Sequence, residues 1–364
     1  MIKVLIVDDS AFMRNALTSM LASDPEIKII GTARDGLEAL EQVSKLKPDI
    51  VTMDVEMPRM DGITSLKQIM EKNPVPVIMV SSLTVEGAKV TLEALELGAV
   101  DFIPKNLSEL SINIVKIKEM LLEKIKYLGK KGIPKRVITK KPSATTFSSS
   151  QKTKETITAP NTSTTTPVMR SIGDRKVSLV AIGTSTGGPK ALQDIIPHLP
   201  KDFPVPIVIS QHMPANFTGA FAERLNQLSL IRVKEAEEGE ALKAGVAYIA
   251  PGRGHMKLKR PRGIETTVTI SENKEEYIYR PSVDAMMLSV AELFPGRALG
   301  VILTGMGNDG CKGLIALKKT GGRVFAQNEE TCVVYGMPRA VVDAGIADKV
   351  LPIDEIAGEI INSV

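Results

Sequence analysis

Short apolar runs, each followed by a segment of helix length, organise this chain: IKVLIVD, IKIIGTA, DIVTMDV, VPVIMVSS and VDFIP succeed one another up to Pro104, with AFMRNALTSMLAS and GLEALEQVSKL among the segments between them. Runs that are apolar at nearly every position need cover on both faces. A parallel sheet flanked by helices provides it. Five such βα units predict an α/β fold, a five-stranded, doubly wound parallel sheet of flavodoxin type, closed by a longer helix from about Ser108 to Leu128.

After Leu128 the composition changes. KKPSATTFSSSQKTKETITAPNTSTTTPVMRS has no periodicity and too little apolar surface to offset its ordering entropy, so residues 129–176 read as a flexible Ser/Thr/Lys/Pro-rich linker. About forty such residues reach roughly 35 Å as a coil. That reach holds two domains at effective concentrations on the order of millimolar. From Val177 the alternation resumes with VSLVAIG, PVPIVIS, ALGVILTG and RVFAQ. GVAYIAPG, HMKLKR, TTVTIS and EYIYR interrupt it and read as short strands of a small antiparallel lobe on a second doubly wound α/β core. The expected organisation is therefore one domain over residues 1–128, the linker, and a second domain over 177–364, consistent with a length of 364 residues.

Charge and composition narrow the function classes. The net charge is +4, but the stretch from Leu128 to Lys176 alone carries +9, which leaves −5 for the rest. The basicity belongs to the linker and not to a folded face, which counts against nucleic-acid binding. The first residues, MIKVLIVDDS, reach two aspartates before a signal-peptide core can form, and no apolar stretch has the length of a membrane span. Cys311 and Cys332 follow no metal spacing and read as small core residues of a reduced, cytoplasmic protein.

Two sets of residues carry chemistry. Asp8 and Asp9 end the first predicted strand and Asp54 the third, at the sheet edge where doubly wound folds bind ligands. Three carboxylates brought together there call for a cation, and Mg²⁺ suits carboxylate and phosphate oxygens. Ser81 and Lys105, after strands four and five, could offer a hydroxyl and a positive charge to an added phosphoryl group. For Asp9 or Ser10 alone, helix capping is the simpler reading. Five residues at four strand ends make capping an insufficient account of the set.

The second set begins at GTSTGG, Gly183–Gly188, a strand-to-helix turn. A phosphate-binding loop would need lysine where Pro189 stands, and proline removes an N–H that such a cradle uses. An exposed nucleophile, Ser185, is the alternative. It needs a base. His198 follows a helix and reads as a surface residue, and His255, after a Gly-rich turn, stays a candidate base. His212 in IVISQHMP ends the next apolar strand, so that neighbouring parallel strands bring it to the same edge as Ser185. A third strand ends in GMGNDG and delivers Asp309 as the carboxylate that orients the base, helix capping being the plainer role for it in isolation.

LIVDDS, VTMDVEMPRMDG, MVSS and DFIPK together resemble a response-regulator receiver domain over residues 1–128. The resemblance implies that Asp54 accepts a phosphoryl group from a chemotaxis histidine kinase. It implies Mg²⁺ on Asp8, Asp9, Asp54 and the carbonyl of Glu56, a switch pair of Ser81 and Phe102, and Lys105 as phosphate partner. GTSTGG, QHMP, YIAPG, RPSVD and LTGMGNDG resemble the catalytic domain of the CheB family of chemotaxis methylesterases and glutamine deamidases. It implies Ser185, His212 and Asp309 as catalytic residues, the Met306 N–H as oxyanion donor and Thr186 at the site's border. It further implies methylated chemoreceptor cytoplasmic helices as substrate, no cofactor for ester hydrolysis, and inhibition by the receiver until Asp54 is phosphorylated. Response regulators with a DNA-binding, nucleotide-binding or non-catalytic output domain stay as alternatives.

Overall fold

The computed structural model describes residues 1–82, 84–105, 110–132, 176–261, 265–273 and 277–364, with backbone alone for 85 and 110–117. The expected linker lies outside these residues apart from its ends.

The N-terminal unit alternates strand and helix in the order β1 (Ile2–Val7), α1 (Ala11–Leu21), β2 (Ile27–Ala33), α2 (Gly36–Leu46), β3 (Ile50–Asp54), α3 (Gly62–Lys72), β4 (Val77–Ser81), α4 (Val85–Leu97), β5 (Asp101–Pro104) and α5 (Leu110–Lys131). All five strands are parallel, in the order β2-β1-β3-β4-β5. Val4, Leu5, Ile6 and Val7 are each fully buried, which is why the first run has no polar alternation. The helices begin where a polar side chain can take the first free N–H groups. Ser10, Asp35, Asp61 and Thr84 accept from Met13, Glu38, Thr64 and Gly87. The last helix continues past Leu128 to Lys131.

The C-terminal unit follows with β6 (Leu179–Thr184), α6 (Gly188–Ile195), a 3₁₀ turn at Ile196–His198, β7 (Ile207–Gln211), α7 (Ala215–Leu228), β8 (Arg232–Glu235) and β9 (Val246–Ile249). Then come β10 (His255–Lys259), β11 (Thr267–Ser271), α8 (Val283–Leu293), β12 (Ala298–Ile302), α9 (Cys311–Lys319), β13 (Arg323–Gln327), α10 (Met337–Asp343), β14 (Lys349–Leu351) and α11 (Ile353–Ile361). Seven strands form one parallel sheet, β14-β13-β12-β6-β7-β9-β8.

The antiparallel lobe is smaller than the strand pattern suggests. Among the described residues β10 and β11 are the strands that pair antiparallel, with a single antiparallel bridge from Ala241 to Thr267, while the YIAPG run enters the large parallel sheet as β9, and residues 277–280 of EYIYR form no strand. The reason is visible in the side chains. VAYI is apolar throughout and Ala247, Tyr248 and Ile249 are buried, as a sheet interior requires, whereas HMKLK and TVTIS alternate. The sheet's two edge strands, β8 and β14, carry charged residues and lack the continuous apolar signal that marks the others.

The two units touch. Rings of Phe102 and Phe217 stack at 4.5 Å between centroids, Arg224 on α7 grips Glu96 on α4 with two bonds of 2.7 Å, and one cluster of buried apolar side chains continues across the junction. The helix α6, which opens with Pro189 in its first turn, buries Leu192 and Ile195 completely. We expect Leu192→Ala to cost about 2–5 kcal/mol in urea denaturation, through lost transfer energy and the cavity left behind. A cost below about 1 kcal/mol would contradict the burial that anchors this helix.

Candidate active site

The strand order of the C-terminal sheet turns at β6: β7 lies on one side of it and β12 on the other. Ligand crevices form at such a reversal, beyond the carboxyl ends of the strands. Register then sets the details. Thr184 pairs with Gln211, so the next residues, Ser185 and His212, leave adjacent strands level with each other. On the other side Ile302 pairs with Gly183, and the loop that follows β12 returns with Asp309.

The three side chains meet. His212 Nδ1 lies 3.1 Å from Ser185 Oγ, and His212 Nε2 lies 2.7 Å from Asp309 Oδ2. With Nε2–H donating to the carboxylate, Nδ1 is left as the acceptor for the serine hydroxyl. The ring is thus turned opposite to the serine-protease template, where Nε2 faces the serine. Ser185 and His212 are half-buried and Asp309 is buried.

Asp309 accepts more than the histidine. Its two oxygens also receive Val283 N–H at 2.7 Å, Asp284 N–H at 3.0 Å and the Ser282 hydroxyl at 3.0 Å, all at the N-terminus of α8. Asp284, in the first turn of α8, accepts in return from Gly310 and Gly313 at the start of α9, at 3.0 and 2.8 Å. Each carboxylate therefore satisfies the free N–H groups of the other's helix. Burial alone would raise the Asp309 carboxyl, but the His212 hydrogen bond and charge and the α8 N–H groups outweigh it and hold the group below its ordinary range. Burial, with the charge of Asp309, pushes Asp284 up. Two glycines make the approach possible: a Cβ on Gly183 would lie 2.2 Å from Val283 Cγ1, and one on Gly310 2.6 Å from it.

The remaining predicted residues fall around this centre. Thr186 is buried and donates to Asp101 Oδ2 of the N-terminal unit at 2.7 Å, and Asp101 also pairs with Lys124. Met306, in the loop after β12, packs against the apolar cluster that joins Val334 to the α1/α5 side of the N-terminal unit. His255 is buried and accepts from Ser282 N–H at 3.1 Å, so it supports the Asp309 cradle, while His198 is exposed. Cys332 is buried, and that burial pushes its thiol up to about 12; Cys311 is half-buried, and both are free. Sequence reasoning did not single out Ser282, Asp284 or Tyr279. A cap-and-carboxylate pattern before an apolar helix, SVD, is the signal that could have found the first two.

The N-terminal sheet reverses its strand order between β1 and β3, and there Asp8, Asp9 and Asp54 offer oxygens within 4.8 Å of one another. Asp8 and Asp54 are buried, and Lys105 is ion-paired with both. Burial, reinforced by the Asp8 charge, raises Asp54 to about 6 against the opposing Lys105 and Glu56 N–H bonds. Asp8 Oδ2 is buried without a hydrogen bond, its nearest cation being the Lys105 ammonium at 3.4 Å. An all-oxygen donor set with an unsatisfied buried oxygen fits a hard divalent cation. Glu56 is exposed and its N–H meets Asp54 Oδ1 at 3.2 Å. Two predicted residues are engaged elsewhere. Ser81 accepts from Thr91 Oγ1 on α4 at 2.7 Å, and Phe102 stacks on Phe217 of the other unit.

A doubly wound sheet with an acidic pocket, in contact with a second sheet that aligns serine, imidazole and carboxylate, defines a response regulator with an enzyme as its output. Residues 4–114 match the response regulator receiver domain and residues 180–360 match CheB methylesterase. The chain is 52% identical, over its whole length and the whole of the relative, to protein-glutamate methylesterase/protein-glutamine glutaminase 1 of Oleidesulfovibrio alaskensis. It is 43% identical, over 100% of this chain and 94% of the relative, to protein-glutamate methylesterase/protein-glutamine glutaminase of Pyrococcus abyssi. The crystal structure of the Thermotoga maritima CheB methylesterase catalytic domain superposes with a TM-score of 0.50 at 46% identity, covering 52% of this chain and all of that one. The chain belongs to the CheB methylesterase family.

Because Asp309 is held below its ordinary range, its charge stabilises the fold above about pH 4, and that contribution is lost as pH falls through the folded value. We expect Asp309→Asn to cost about 1–3 kcal/mol at pH 7, since an amide offers one acceptor oxygen where two are used. The gap between parent and variant should narrow in denaturation as pH falls below about 4 and through the lowered folded value. A constant gap would sink this reading.

Proposed function

We propose that this protein removes methyl esters from glutamate side chains on the cytoplasmic helices of chemoreceptors and deamidates receptor glutamines. We further propose that residues 1–128 regulate the activity of residues 177–364 across the linker of residues 129–176, in the cytoplasm. The observation that carries the reading is His212 held between Ser185 Oγ at 3.1 Å and Asp309 at 2.7 Å. In this reading Ser185 Oγ attacks the γ-carbonyl carbon while its proton passes to His212 Nδ1. The carbonyl oxygen gains the negative charge, which the Met306 N–H receives in a loop braced by bonds from Gly305, Gly336 and Met337. The C–O bond to methyl then breaks, and Nδ1 returns the proton to the leaving oxygen, giving methanol. Water, deprotonated by the same nitrogen, cleaves the acyl-enzyme to glutamate and free Ser185. With glutamine the leaving group is ammonia. Asp309 keeps Nε2–H aimed at itself and balances the imidazolium charge.

The same reading assigns regulation to the contacts between units. Thr186, beside the nucleophile, is tied to Asp101, and Tyr335, which bridges Gly305, donates its N–H to Tyr127 Oη at 2.8 Å. The N-terminal unit thus grips both walls of the catalytic turn. Asp54 is the phosphoryl acceptor from a chemotaxis histidine kinase, and Asp8, Asp9 and Asp54, with the Glu56 carbonyl, would hold Mg²⁺. A bound divalent cation supplies charge neutralisation for the phosphoryl oxygens. A phosphoryl group adds nearly two negative charges, which recruit Lys105 and draw the Ser81 hydroxyl from Thr91. Ser81 and Thr91 join β4 to α4, whose Glu96 holds Arg224, and Phe102 stands on Phe217, so a shift at Asp54 reaches the junction through both.

Ser185→Ala should lower methanol release from methylated receptor membranes by roughly 10⁴-fold or more without changing the unfolding temperature. Release at the parent rate would refute the nucleophile. Asp54→Asn should retain basal turnover yet gain nothing from a small phosphodonor with Mg²⁺, whereas equal stimulation of variant and parent would refute the switch.

A further inference from the structure

The hydrogen bonds described above fix where the two nitrogens of His212 lie, but not the plane of its ring. An imidazole held by one bond at each nitrogen can still roll about the line joining them. Tyr279 removes that freedom: its ring lies against His212 at 4.5 Å between centroids and 8° from parallel. The same residue reaches the loop after β12, since a Cβ on Gly307 would stand 3.0 Å from Tyr279 Oη. Three residues further along the chain, Ser282 binds Asp309. One short stretch, residues 279–284, therefore supplies both the wall beside the base and the cradle beneath its carboxylate.

We propose that Tyr279 is a positioning residue for His212, holding the imidazole in the plane that joins Ser185 to Asp309. The proposal rests on the catalytic reading given above. The aromatic face does the positioning, not the hydroxyl. A parallel aromatic contact of this geometry gives a directional preference beyond apolar burial, and its electron-rich face favours the positive charge that His212 gains when it accepts the serine proton. Burial first, then the charges of Glu123 and Asp309, push the Tyr279 phenol up, so the hydroxyl stays protonated and is no rival base. A leucine fills similar space with no face to stack. A phenylalanine keeps the face.

The test compares Tyr279→Phe, Tyr279→Leu and Tyr279→Ala in the full chain, saturated with a small phosphodonor and Mg²⁺, on methylated receptor membranes. In parallel, a phosphonyl fluoride that modifies the active serine reports the Ser185–His212 pair without the receptor. Phe should stay within about twofold of the parent in kcat. Leu and Ala should lose roughly 3–10-fold in kcat at unchanged KM, and lose phosphonylation rate by the same factor. Thermal unfolding of the Phe and Leu variants serves as the folding control, so a poorly folded Ala variant leaves the comparison intact. Parent-like kcat in Tyr279→Leu overturns the proposal, as does a loss confined to KM, which would make Tyr279 a substrate contact. Ser185→Ala in the same assay separates the two readings. If it retains turnover, the catalytic reading itself fails. If it is inactive while Tyr279→Leu equals the parent, only the positioning role fails.

Discussion

A carboxylate exchange between two helices holds this site together. Asp309 lies before α9 yet gives its oxygens to the N-terminus of α8, and Asp284 lies in α8 yet gives its own to the start of α9. Helix N-termini are good hosts for negative charge because their free N–H groups and dipoles point at it. Burying two carboxylates near each other is costly, and the exchange offsets that cost with six donors, including the Ser282 hydroxyl and His212. The arrangement also separates their states: the donors favour charge on Asp309, while burial disfavours it on Asp284. His212 thereby faces a carboxylate whose position and charge are both settled by the fold.

The same economy of neighbours governs the junction between units. Thr186 has a role on each side of it, since it follows Ser185 in the chain and donates to Asp101 across the boundary. Asp101 is buried and balanced by Lys124, so the contact is a buried, charge-assisted bond and not a loose surface pair. Phe102, Tyr127 and Glu96 add contacts on either side. Belonging to one chain gives the two units proximity but no orientation. Orientation comes from these side chains.

Much of this was legible in the chain itself. Continuous apolar runs betray strands covered on both faces, and the residues that end those runs must gather at one sheet edge, so the acidic pocket and the serine, histidine and aspartate loops could be read from position alone. Where the pattern misled, the cause was local. VAYI, set among short strands, looked like part of an antiparallel lobe, and only its pairing with β7 and β8 places it in the main sheet. The edge strands β8 and β14 were invisible because half-exposed strands need not be apolar.

The sequence by itself determined which residues reach the rim, because strand length and side-chain chemistry are local properties. The tertiary structure alone decided which nitrogen of His212 faces the serine, that α8 is the host of Asp309, that Tyr279 lies flat on the imidazole, and that Ser81 and Phe102 are engaged with α4 and Phe217. Each of those depends on contacts between segments far apart in the chain, whose directions are set by packing and leave no periodic trace in the residues that make them.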